Sequence, residues 1–174
     1  MALAVCLLFD ARSERRVRDL WSRLEDAGIS TLASHTHRLH HPHLSYAVLL
    51  DWELAPVHEA LCALPAADPF SLSLHGTLAF PRGRAALAPA LAPDVGIRQA
   101  RVVTAVEDAG AELHHHYRVG RWVPHVSIAT HAQGTRLASV VRMVSDLLPL
   151  TLQVDRAALV DSSTGETWPL PHLL

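Results

Sequence analysis

Pro42-His43-Leu44-Ser45-Tyr46-Ala47 and Pro124-His125-Val126-Ser127-Ile128-Ala129 are two versions of one hexapeptide, identical at four positions and apolar in both at a fifth. Each reads as a β-strand, and side chains two apart on a strand share a face. Each copy therefore presents an imidazole beside a hydroxyl. Two such strands facing each other would line one cleft with two histidines and two hydroxyls. Histidine titrates near neutral pH and can act as base or acid. Serine hydroxyls can donate to charge developing on phosphate oxygens. This set can open a phosphate ester without a metal: one histidine takes a proton from water and the other protonates the leaving oxygen.

Other side chains compete for roles. Arg121 precedes His125 by four residues and, on a continuous strand, would share its face. Arg118 and Arg121 are candidates for phosphate contact, with ordinary surface arginine as the plainer reading. Trp122 and Phe80 could stack a base, although core packing serves either equally, and Tyr46 points away from Ser45 into the core. The remaining histidines raise the question of a metal: His35, His37, His40, His41 and His43 cluster, and His114-His115-His116 follows. Zinc needs three or four converging ligands. Consecutive histidines on a strand alternate faces, and the chain has no His-Glu-x-x-His helix. These clusters read as solvated loop, and neither metal nor other cofactor is expected. His75 and His131 are worth following, with His131 placed in a loop.

The elements that must position these groups follow from periodicity. An apolar strand over 2–9 precedes an amphipathic helix over 11–28, in which Val17, Leu20, Trp21, Leu24 and Ala27 recur at helical spacing and Gly28 is the stop. A strand region over 37–50 carries the first motif, and a helix over 52–64 ends at Pro65. Residues 70–80 alternate as a strand closed by Pro81-Arg82-Gly83. A short helical turn is expected over 85–91 and a long helix over 97–113. The second motif strand, a helix over 137–148, a strand over 150–160 and a final strand over 167–174 complete the chain. A parallel, doubly wound sheet fits that order, but no glycine-rich dinucleotide turn is present. Alternation within the strands favours antiparallel sheets with one wet face.

The chain has 174 residues, an apolar content of 49%, a net charge of −2 and a pI near 6.7. This composition supports one packed unit and gives no broad basic footprint for nucleic acid. Any nucleic-acid substrate would be held locally, as an end or a small fragment. All fifteen basic residues are arginine, which excludes a lysine nucleophile, a Schiff base and a P-loop lysine. Cys6 and Cys62 sit in apolar segments and read as buried free thiols. The first nine residues lack the leading charge of a signal peptide, and no apolar run is long enough to span a bilayer. A cytoplasmic setting is the default expectation.

The two His-x-Ser elements lie 82 residues apart (125 − 43), close to half the chain. Each is preceded by proline, and together they resemble the paired His-x-Thr/Ser motifs of the 2H phosphoesterases. Within that superfamily the likeness is to the 2'-5' RNA ligase and RNA 2',3'-cyclic phosphodiesterase group. Phe70-Ser71-Leu72-Ser73-Leu74-His75-Gly76 with Phe80-Pro81 looks like its middle strand, and Trp122-Val123-Pro124-His125 like its lead-in to the second motif. Asp155-Arg156-Ala157-Ala158-Leu159-Val160 with Trp168 looks like its closing strands. Serine stands here where the best-studied branch has threonine; the hydroxyl is kept, and the substrate assignment is left more open.

The resemblance implies an α+β, bilobal, pseudo-two-fold fold: two antiparallel sheets facing a central cleft with helices outside, over a single domain 1–174 with one motif per lobe. It implies a metal-independent cyclic phosphodiesterase that opens an RNA or nucleotide 2',3'-cyclic phosphate to a 2'-phosphate, with reversible 2'-5' ligation in view. His43 and His125 would be catalytic, and Ser45, Ser127 and Arg121 would hold phosphate. Leaning on the resemblance, His125 is the base and His43 the acid; the residues themselves leave that order open. The substrate would be a small cyclic nucleotide or an RNA terminus, with no membrane partner and no extended nucleic-acid surface. Two alternatives stand beside this reading: a metal-dependent hydrolase built on the histidine clusters, and a non-catalytic nucleotide- or RNA-end-binding module.

Overall fold

Asp10 ends one element and begins the next. The computed structural model describes residues 2–174. Strand β1 (Leu3–Phe9) sends Leu3, Val5, Leu7 and Phe9 into the main core, while Ala4 and Cys6 join a smaller apolar group with Ala158 and Val160. The Asp10 carboxylate then accepts from the Ser13 amide at 2.7 Å, satisfying a donor that the start of helix α1 (Ala11–Asp26) would otherwise leave free. Val17, Leu20, Trp21 and Leu24 form the buried stripe by which α1 lies on the sheet. The chain continues through β2 (His43–Asp51), α2 (Leu54–Cys62), β3 (Phe70–Phe80), β4 (Arg84–Ala90) and α3 (Pro93–Asp108). It closes with β5 (Glu112–Leu113), β6 (Val126–Ala129), α4 (Thr135–Ser145), β7 (Leu150–Asp161) and β8 (Thr167–Pro169). No helix among the described residues is long and apolar enough to cross a membrane.

Every strand pairing is antiparallel, which excludes the parallel doubly wound alternative. The hydrogen bonding runs β1-β2-β6-β4-β3-β7, and β7 pairs back onto β1, so six strands form a closed ring with β8 on β7 and β5 on β2. One half of the ring is β7-β1-β2 and the other β3-β4-β6. The halves join along Phe70–Leu74 on one side and at the single pair Leu44–Val126 on the other. The two expected antiparallel sheets are thus continuous at their edges, and the helices lie outside them.

Three expectations about local structure are corrected. Residues 85–91 are not a helical turn: β4 pairs with β3 along one edge and β6 along the other. Its alanines are strong helix formers, but a central position between two strands overrides propensity. Residues 37–42 are not strand. Thr36 and Arg38 carry left-handed backbone (φ 45° and 63°), and the segment folds over α1, where Arg18 donates to the His40 carbonyl at 3.2 Å. The third helix begins at Pro93 and ends at Asp108, with Gly110 at φ 84° beyond it. Proline suits the first helical position and glycine the turn after the last. Cys6 is buried as expected, whereas Cys62 is only half-buried, its thiol 3.6 Å from His58 Nδ1.

Candidate active site

The pairing of Leu44 with Val126 sets the geometry. These are the middle residues of the two His-x-Ser elements, and both are buried on the core side. In an antiparallel pair this register places His43 opposite Ser127 and Ser45 opposite His125. All four side chains then share the other face. Directly opposed residues have Cβ atoms about 4.5–5.5 Å apart and diagonal neighbours lie about 7–8 Å apart, within reach of long side chains, so the two histidines stand diagonally across the pair. The local two-fold axis passes through the Leu44–Val126 pair.

The two histidines are held alike. His43 Nδ1 lies 2.7 Å from the His41 carbonyl and His125 Nδ1 lies 2.8 Å from the Val123 carbonyl. A carbonyl only accepts, so each Nδ1 carries its proton and donates. In the neutral ring the lone pair is then on Nε2, the atom left to meet a substrate. Both rings are held below the ordinary histidine range, first by burial, which disfavours the charged form. For His43 the charge of His125 and then of His41 adds to this; for His125 it is the charge of Arg84. In both, the carbonyl acceptor opposes the shift.

The hydroxyls differ. Ser127 is half-buried, and no protein group bonds its hydroxyl among the described residues. Ser45 is buried, with Cys6 Sγ 3.8 Å away. Burial pushes the Cys6 thiol up to about 12 and the Tyr117 phenol up to about 12, so both are neutral at physiological pH. Phe80 lies against His125, ring centroids 4.8 Å apart. A cavity of about 480 Å³ lies elsewhere, lined by Phe70, Asp94, Arg98 and Arg101 among others; no motif residue lines it, and both motif histidines are half-buried.

Strand parity does not reach Arg121. It lies in an exposed turn, its amide donating to the Arg118 carbonyl, and β6 begins only at Val126. Arg84 is the cation whose charge bears on both His125 and Tyr117. It begins β4 two residues before Ala86, which pairs with Ser127. Reading 85–91 as helix hid that placement, and Tyr117 sits in a 3-10 turn that no periodicity marks. His114, His115 and His116 lie at the start of and within that turn. Their ring centroids lie 3.9–4.9 Å apart, His114 stacked on His115 and His116 edge-on to both. No group of three His, Cys, Asp or Glu side chains among the described residues is arranged to hold a metal ion. His75 is exposed and bonds Ser73, and His131 bridges to Ser30.

The sequence profile of the 2'-5' RNA ligase superfamily matches residues 9–166. The chain belongs to this superfamily. Membership supports a phosphodiester-cleaving enzyme in general. Solved structures share the superfamily fold. Escherichia coli LigT complexed with NADP+ is 15% identical, with a TM-score of 0.59 over 97% of this chain and 93% of that one. LigT complexed with 3'-AMP is 14% identical, with a TM-score of 0.58 over 98% and 97%. Kluyveromyces marxianus Usb1 with uridine monophosphate is 17% identical, with a TM-score of 0.54 over 98% of each chain. No curated protein matches this superfamily member by sequence.

Proposed function

We propose that the protein opens a 2',3'-cyclic phosphate on a nucleotide or RNA end to a 2'-phosphate, with His43 and His125 as general acid and base. The observation that carries this is the Leu44–Val126 register, with both Nδ1 atoms tied to carbonyls and both Nε2 atoms left for one phosphate. His125 Nε2 takes a proton from water; the water oxygen bonds to phosphorus as the bond to the ribose O3' breaks, and His43 delivers a proton to that oxygen. Charge gathered on the non-bridging oxygens is met by the Ser127 hydroxyl and the Arg84 guanidinium, with Ser45 as the partner donor of the first motif. Such preorganised donors act where charge develops. Arg121 is assigned to substrate beyond the reacting phosphate. The chain works as one unit, each half of the ring supplying one motif. Nucleotides in the solved LigT and Usb1 structures support a nucleotide-sized substrate.

The test is turnover of nucleoside 2',3'-cyclic phosphates with and without a chelator. Unchanged turnover supports the two-histidine scheme, and loss in chelator turns the assignment to a metal hydrolase on the histidine clusters. Tight binding without turnover identifies a non-catalytic end-binding module.

A further inference from the structure

Both motif strands break register at the same place. On β2, Cys6 pairs with Ser45 and Val5 with Ala47, so Tyr46 is an extra residue against β1. On β6, Ala86 pairs with Ser127 and Ala85 with Ala129, so Ile128 is an extra residue against β4. Each is a β-bulge at the residue after the motif serine. Bulges bend a strand, re-aim its side chains and take backbone groups out of the ladder.

A tryptophan meets each displaced carbonyl. Trp122 Nε1 donates to the Ser45 carbonyl at 3.0 Å, and Trp21 Nε1 donates to the Ser127 carbonyl at 3.1 Å. An indole N–H can only donate, and a buried carbonyl requires a partner. Trp21 is fully buried on α1, in the first half of the chain, yet it serves the second motif. Trp122 comes from the second half and serves the first motif, packing edge-on against the bulge residue Tyr46 at 5.8 Å. Gln99 of α3 adds a bond to the Tyr46 carbonyl at 3.1 Å.

We propose that Trp21 and Trp122 are positioning residues for the catalytic motifs, each fixing one bulge so that its serine and histidine aim at the shared phosphate. This rests on the proposed phosphodiesterase reading. The test is a pair of double-mutant cycles. Trp122→Phe and Trp21→Phe keep one aromatic ring and remove the indole N–H donor together with the second ring, so the packing loss is common to every background and cancels in the cycle. Trp122→Phe is expected to lower kcat about tenfold or more with KM within about twofold, because misaim of about 1 Å costs up to about 10² in rate. In a Ser45→Ala background the same change should cost severalfold less, the remainder being the misaim of His43, since contacting groups are non-additive. Trp21→Phe should behave likewise toward Ser127→Ala, while the crossed pairs, Trp122 with Ser127 and Trp21 with Ser45, stay near additive.

Equal fold losses in all backgrounds, or losses confined to KM, would overturn the proposal by showing a merely structural role. Trp122 is half-buried, so its cycle stands alone should Trp21→Phe fail to fold. Absence of wild-type turnover would defeat the phosphodiesterase reading instead. The same cycles are then read on the affinity of inorganic phosphate, followed by NMR at the His43 and His125 rings. Coupling within each Trp–Ser pair supports the positioning role; additive losses, or no binding, overturn it.

Discussion

Two imidazoles with Nδ1 tied to a carbonyl two residues upstream form a pair in which either ring can start neutral or charged. Each acid–base role contributes about 10²–10⁴ in rate. His43→Ala and His125→Ala are each expected to lose about that much kcat with the fold intact by circular dichroism; full activity in either variant contradicts the scheme. The pair also fixes the pH dependence. Catalysis needs one ring protonated and one free, so kcat/KM follows a bell. Burial lowers both rings, so the maximum should fall on the acid side of about 6.5, the ordinary histidine value. A plateau extending upward from neutrality would contradict it.

At the scale of elements, the turn between β3 and β4 packs against the chain just beyond β6, where the Ala132 amide donates to the Gly83 carbonyl. Gly83 has φ +75°, and a Cβ there would meet the Ala132 backbone at 2.9 Å. Gly83→Ala is therefore expected to destabilise the fold by about 1–3 kcal/mol, read as a fall in Tm; an unchanged Tm contradicts this packing. The histidine loop makes a second prediction. Burial, with the charges of His37, His43, His35 and His41, lowers His40 to about 4. The unfolded chain takes up that proton near 6.5, so this stability is full above 6.5 and is lost as pH falls toward about 4. His43, His125 and His114 act with the same sign. His40→Gln should make the fall in Tm between about pH 7 and pH 5 shallower than in the wild type, and an equal slope refutes the assignment. The motif strands and α1 were legible in the sequence because their periodicities are strong. β4 was not, because alanine states no preference for strand and one of its two edges is paired with the distant β6. The His37–Pro42 segment was not, because its shape is set by left-handed turns and by contacts with α1. Arg84 opens β4, so its charge effect on His125 was not legible either.

Across the whole molecule, the half-chain repeat in the sequence becomes a local two-fold axis through Leu44 and Val126. The repeat predicted two similar motifs but not their contact, which depends on a single strand pair closing the ring. Nor did it predict the crosswise support, in which Trp21 and Trp122 each brace the motif of the other half. The most direct measurement of the central claim is hydrolysis of a nucleoside 2',3'-cyclic phosphate by the purified chain in excess chelator, with the product resolved by phosphorus NMR. The account predicts undiminished turnover to the 2'-phosphate; no turnover, or turnover that the chelator abolishes, would contradict it.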